Sequence, residues 1–113
     1  MAIEDEDEEK LIDQEFFDEY TAARDDMYFD TAAMSGLKRA DEQSQEIDRV
    51  EDDIRLFPDM GRSAKEVGRS HSEIVREAFC DDGRVCVAYE RHDNFVRLIA
   101  VSLTVRGAVW YGS

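Results

Sequence analysis

Arg69, His71, Arg76, Arg97 and Arg106, together with Tyr89 and Tyr111, are the side chains best suited to chemistry on a polyanion. Cutting an RNA phosphodiester needs a base for the 2′-hydroxyl proton and cations to stabilise the charge of the phosphorane. His71 is the obvious proton carrier near neutral pH in this set. Arginines scattered over strands more commonly pair with neighbouring acids, so ordinary salt bridging is the competing reading of the same residues.

A second set is acidic. Asp13, Glu15, Asp18, Glu19, Asp25, Asp26, Glu46, Asp48, Glu51 and Asp52 are the candidate partner-binding residues, flanked by Glu4–Glu9 and accompanied by Asp41, Glu42 and Asp53. Through Met60 there are 21 acids against 6 Lys and Arg, a balance of −15; from Gly61 onward 7 acids face 8 bases, a balance of +1, giving −14 for the chain. Carboxylates spaced along helices place negative charge at intervals like those of duplex phosphates. Such a surface attracts basic grooves, speeds encounter, and weakens as salt rises. Direct nucleic-acid binding by this half is disfavoured, because that binding rests on neutralising phosphates with cations. A solvated surface that only aids solubility, or that reflects a halophilic host, would look the same.

Other chemistries lack their residues. Glu51-Asp52-Asp53 and Asp81-Asp82-Gly83 do not have the spaced ligands of an EF-hand, and neighbours on a helix point apart. Cys80 and Cys86 with His71 and His92 match no structural zinc spacing. There is no Gly-rich phosphate loop and no nucleophile motif, so neither a metal nor a cofactor is expected. The two cysteines flank a turn and are expected to be reduced thiols. The start of the chain, Met1-Ala2-Ile3-Glu4-Asp5-Glu6, is the opposite of a basic and then apolar signal peptide, and no apolar run approaches a bilayer span. The chain is therefore expected in the cytoplasm, with no membrane partner. Its 11 Arg against 3 Lys, with abundant Asp, fit a high-GC genome.

These residues need elements to hold them. With 42% apolar and 10% aromatic residues, 113 residues suit a single domain with one core. Residues 1–9 are read as a frayed acidic terminus, 10–57 as a helical half and 62–113 as a sheet half. Leu11, Ile12, Phe16, Phe17, Tyr20 and Ala23 recur at helical steps and predict a first helix, with Asp13, Glu15, Asp18, Glu19 and Asp25 opposite. Tyr28-Phe29-Asp30-Thr31 interrupts the pattern. A second helix is predicted from about Ala32 to Leu56, burying Ala33, Met34, Leu37, Ala40, Ile47, Val50, Ile54 and Phe57. Its polar middle, Asp41–Glu46, predicts thin packing or a kink. Pro58 and Gly61 end it.

After Gly61, residues 62–72 read as a loop or short strand. Strand-like runs follow at Ile74–Phe79, Val85–Tyr89 and Phe95–Val105, joined at Asp81-Asp82-Gly83 and Arg91-His92-Asp93-Asn94. The fold class is α+β: two antiparallel helices, then a three-stranded antiparallel meander with the helices on one sheet face and the third strand central. Trp110 and Tyr111 are expected to fold back on the sheet edge, or else to serve as a contact anchor.

Two helices, then Phe57-Pro58-Asp59-Met60-Gly61-Arg62, then Val85–Tyr89, Val96–Val101 and a trailing Arg106, resemble the RelE/ParE toxin superfamily over residues 32–106. The resemblance implies a curled sheet with one face open. Members that cut mRNA on the ribosome use a basic and aromatic cluster on that face. Members are also commonly neutral to basic and open with a β-strand. Here the acidic Glu4–Glu9 run is expected where that strand would lie.

Two functions follow. The first is a non-enzymatic acidic inhibitor that docks its helical half in the basic groove of a nucleic-acid-binding protein, as anti-CRISPR and anti-restriction proteins of phages and mobile elements do. The second is a toxin of a toxin–antitoxin pair, an mRNA interferase or gyrase inhibitor acting through His71, Arg76, Arg97 and Arg106, with an antitoxin, the ribosome or gyrase as partner. A degenerate relative would instead bind an antitoxin or itself through a free strand edge.

Overall fold

The second half of the chain is built from short apolar runs bounded by turn residues, and Val85–Tyr89 is buried at every position, as a strand covered on both faces would be. A computed structural model describes residues 11–106 and 109–111, with Arg106 placed by its backbone alone. The elements run β1 (Asp13–Phe16), α1 (Asp18–Ser35), α2 (Leu37–Leu56), β2 (Arg62–Ser63), β3 (Val75–Cys80), β4 (Val85–Arg91), β5 (Phe95–Leu103) and a 3₁₀ turn (Thr104–Arg106). The sheet has five strands in the order β1-β5-β4-β3-β2, with β1 parallel to β5 and all other pairs antiparallel.

One sheet face carries the core. Ala78 lies opposite Val87, Cys80 opposite Val85, and Tyr89 opposite Leu98. A register shift between Ala88 and Tyr89 takes up one extra residue of β5, so Leu98 and Val101 both face inward. Tyr20, Met27, Ile47, Val50 and Ile54 of the helices close over this face. The α+β class with both helices on one side is as expected from the pattern.

Several elements differ from expectation. Asp13–Phe16 is a strand, and the first helix starts only at Asp18. The apolar spacing of Leu11 to Ala23 suits a helix locally, but the exposed edge of β5 offers ladder hydrogen bonds, and tertiary pairing overrides the local preference. Phe17 N–H closes the strand by donating to Leu98 O at 2.9 Å. An opening strand is thus present at Asp13–Phe16; the Glu4–Glu9 run lies outside the described residues. The helices divide at Gly36 and not at Asp30-Thr31. Gly36 has φ 94° and ψ 163°, a conformation open to glycine alone, and its N–H still caps α1 on Ala32 O. This break leaves Met34 at 85% and Leu37 at 65% exposure, and Ala33 and Phe57 are exposed too, contrary to the predicted buried stripe.

No kink interrupts Asp41–Glu46. Gln43 is buried there and is held by Thr31 and Asp81, and Ser44 receives Arg24. The meander is extended by β1 and β2 into five strands, and β4 lies at the centre with β5 beside it. The Asp81-Asp82 turn has both residues at φ near 57°, a left-handed pair that twists with the hairpin.

Candidate functional site

On the sheet face away from the helices, register places Arg62 beside Glu77 and sets Phe79 opposite Cys86. Glu77 is fully buried at the centre of this face. Arg62 Nε donates to its Oε1 at 2.9 Å, Arg69 lies 3.0 Å from Oε2, and Tyr111 OH donates to Oε2. The Arg69 contact is ionic only, because its Nε–H points at no acceptor. Arg62 also stacks over Phe79, 4.9 Å from the ring centroid. Burial, then the hydrogen bond to Glu77, raises the Tyr111 hydroxyl far above its ordinary range, so it stays a donor. Burial pushes the Cys86 thiol up to about 11, its sulfur 3.7 Å from the Tyr111 hydroxyl. Cys80, pushed up to about 12 by burial, sits on the opposite face by register, so the two thiols point apart and remain free.

Arg97 occupies the other end of the same face. It reaches Glu15 of β1 at 3.1 Å and Glu90 of β4 at 3.0 Å, tying three strands together. Glu90 also holds His92 at 2.9 Å, and the His92 ring stacks on Phe95 at 4.3 Å. His92 is therefore the histidine that shares a cluster with an arginine of the sheet. Its place in a turn hid it, whereas its position two residues after Glu90, just past the end of that strand, was the available signal.

Arg76 faces the helix side. It donates to the backbone oxygens of Met60, Asp59 and Gly61 at 3.0, 2.8 and 3.2 Å. The Tyr89 hydroxyl lies 2.7 and 2.9 Å from the Pro58 and Met60 oxygens, and burial pushes it up to about 12. These two side chains secure the corner after α2. His71 is exposed and meets Trp110 edge-on at 4.9 Å. No hydrogen bond or ion pair joins His71, Arg76 and Arg97 among the described residues, and the Arg106 side chain lies outside them. The predicted catalytic set is not assembled by its described members.

The acids divide into two groups. Asp18, Glu19, Asp25, Asp26 and Asp52 stand exposed on the helices, with no ion pair among the described residues. Asp13 and Glu15 are exposed as well, but on β1 and not on a helix face, and Glu15 is paired with Arg97. Glu46 pairs with Arg49 and Asp48 with Arg24. Glu51 departs from the predicted surface: it is buried, accepting from Tyr20 OH at 2.6 Å and Arg24 Nη1 at 3.0 Å. Arg24 further reaches Ser44 Oγ at 2.7 Å, so one guanidinium stitches α1 to α2. Burial raises the Tyr20 hydroxyl far above its usual range, and Glu51 raises it further. At the far end of α2, Asp81 accepts from Arg39 and from Gln43. Burial alone would raise the Asp81 carboxyl, but these donors outweigh it and hold it below the ordinary carboxylate value.

Among the described residues, no group of three or more His, Cys, Asp or Glu is placed to hold a metal ion. No helix among them is long and apolar enough to cross a membrane. No protein-family model and no curated protein sequence matches the chain. A solved chain from "Chromosomal ParDE TA system from P. aeruginosa" superposes with a TM-score of 0.66 at 12% identity, covering 83% of this chain and 97% of that one. The fold is therefore ParE-like, as the order of helices, corner and strands implies.

Proposed function

We propose that this chain is a ParE-type component of a toxin–antitoxin pair that acts by protein contact and not by cutting RNA. The observation that carries the reading is a ParE-like fold whose sheet-half arginines, among those with described side chains, are already engaged. Arg62 and Arg69 serve Glu77, Arg76 the Pro58 corner, Arg84 Asp81 and Asp82, Arg91 Asp59, and Arg97 Glu15 and Glu90. A ribosome-bound nuclease needs cations free to meet phosphates. The partners implied are a cognate antitoxin and a protein target such as gyrase, met in the cytoplasm. Induced expression without the neighbouring gene is expected to arrest growth, with relief on co-expression of that gene and no site-specific mRNA ends by primer extension. Normal growth at robust expression contradicts the toxin reading; discrete mRNA cuts contradict the protein-contact part of it.

A second reading is favoured by helix acids that stand exposed and have no ion pair among the described residues. Asp18, Glu19, Asp25, Asp26 and Asp52 would dock in the basic groove of a nucleic-acid-binding protein, the behaviour of a phage or mobile-element inhibitor. Capture of such a protein should weaken sharply from about 50 to 500 mM salt, where screening length falls severalfold. Capture that survives reversal of these five acids removes this reading.

A further inference from the structure

We propose that the open sheet face carries a peptide-binding groove that the chain's own Val109–Tyr111 segment occupies in cis, and that its partner is an extended protein segment bearing a tyrosine. The resident segment supplies the chemistry. Tyr111 N–H donates to Arg69 O at 2.9 Å, as one rung of a strand would. Its phenol donates to Glu77, its hydroxyl lies 3.7 Å from Cys86 Sγ, and the preceding Trp110 meets His71 edge-on at 4.9 Å. Beside Tyr111 a groove of about 440 Å³ remains open, bordered by Arg62, Phe79, Ser102 and Thr104. Val109 and Tyr111 line this groove without filling it.

Glu77 decides what the groove accepts. A buried carboxylate with two arginines keeps an acceptor site for a neutral donor, and leaving that site unfilled carries a desolvation cost. A phosphate would bring a second anion against it, so the floor discriminates against nucleic acid. A phenylalanine would fill the space and leave the carboxylate short of one donor. The requirement is a hydroxyl on an aromatic ring, presented from extended backbone. This inference is independent of the toxin reading.

The test uses the full chain with Cys80→Ala, leaving Cys86 as its only thiol. Cys86 is 7% exposed beneath Tyr111, so iodoacetamide alkylation, followed by mass spectrometry, reports the groove being vacated. Tyr111→Ala is expected to speed alkylation about tenfold or more, and Tyr111→Phe, which keeps the ring, by a smaller factor. A synthetic peptide of the chain's residues 104–113 is expected to restore protection to the folded Tyr111→Ala variant. The same peptide with phenylalanine for tyrosine should protect less. Unchanged alkylation in both variants overturns the cis occupancy. Failure of the peptide to protect a Tyr111→Ala chain with native circular dichroism overturns the groove.

Discussion

Glu51 and Glu77 are two acids among 28, and nothing in their immediate sequence separates them from the solvated ones. What distinguishes them is long-range. Glu51 meets Tyr20 and Arg24 from the other helix, and Glu77 meets Arg62, Arg69 and Tyr111 from three places in the chain. A buried carboxylate deprived of its cation is strongly destabilising. Arg24→Ala should therefore cost about 3–5 kcal/mol in urea unfolding, against under about 1 kcal/mol for the exposed Arg49→Ala. Equal losses in the two variants would show that Glu51 finds another cation. Asp81 yields a pH prediction. Its folded pKa is depressed, so its contribution is fully present above the unfolded value and is lost as pH falls through the folded one. Stability should decline below about pH 4. Asp81→Asn, which tolerates the left-handed turn, should lower stability at pH 7 and flatten that decline. A decline of unchanged slope in the variant would place the acid sensitivity at other carboxylates.

At the level of elements, the Pro58 corner was legible and the opening strand was not. A proline followed by Gly61 and Arg62 ends a helix by local chemistry, and the Asp81-Asp82-Gly83 turn does likewise for a hairpin. The pairing of Asp13–Phe16 with Phe95–Leu98 spans most of the chain, and no window of sequence contains it. The helix break is intermediate: Gly36 was visible, but surrounding alanines and leucines kept the helical pattern running through it. The two glycines make a discriminating pair of predictions. A Cβ on Gly61 would lie 2.1 Å from Glu77 O, at φ 76°, whereas one on Gly36 meets nothing within 4 Å. Gly61→Ala combines backbone strain with a clash against β3 and should cost about 3 kcal/mol or more. Gly36→Ala bears only the conformational strain, about 1–3 kcal/mol. Denaturant midpoints measure both, and a Gly36 variant as impaired as the Gly61 variant would mean that the interhelix joint has packing of its own. The functional residues were less legible than the elements. Arg76 and Tyr89 looked like chemistry in the sequence, yet they secure a corner.

Over the whole molecule, charge separates along the same seam as structure. In the sheet half Arg62, Arg69 and Arg84 pair with its own acids, and Arg91 and Arg97 draw in Asp59 and Glu15 from the acidic half, while the helices present exposed carboxylates that have no ion pair among the described residues. A ParE-like fold can hold that imbalance because Tyr20, Met27, Ile47, Val50 and Ile54 of α1 and α2 join the core on one side of each helix, while the exposed carboxylates stand on the outer sides. Net charge of −14 on a chain of this size opposes compaction by self-repulsion. Raising sodium chloride from about 10 mM to 0.5 M shrinks the screening length from roughly 30 Å to under 10 Å. Repulsion among exposed acids should fade, while buried pairs such as Arg24–Glu51 are screened much less. The melting temperature is therefore expected to rise by about 4–8 °C, equivalent to roughly 1 kcal/mol for a domain of this size. Neutralising Asp18, Glu19, Asp25 and Asp26 to their amides should raise stability at low salt and halve that dependence. A melting temperature that falls with salt would show that attraction within the ion-pair network outweighs repulsion across the helices. The acidic surface would then be a stabilising feature of the fold and would need no partner to account for it.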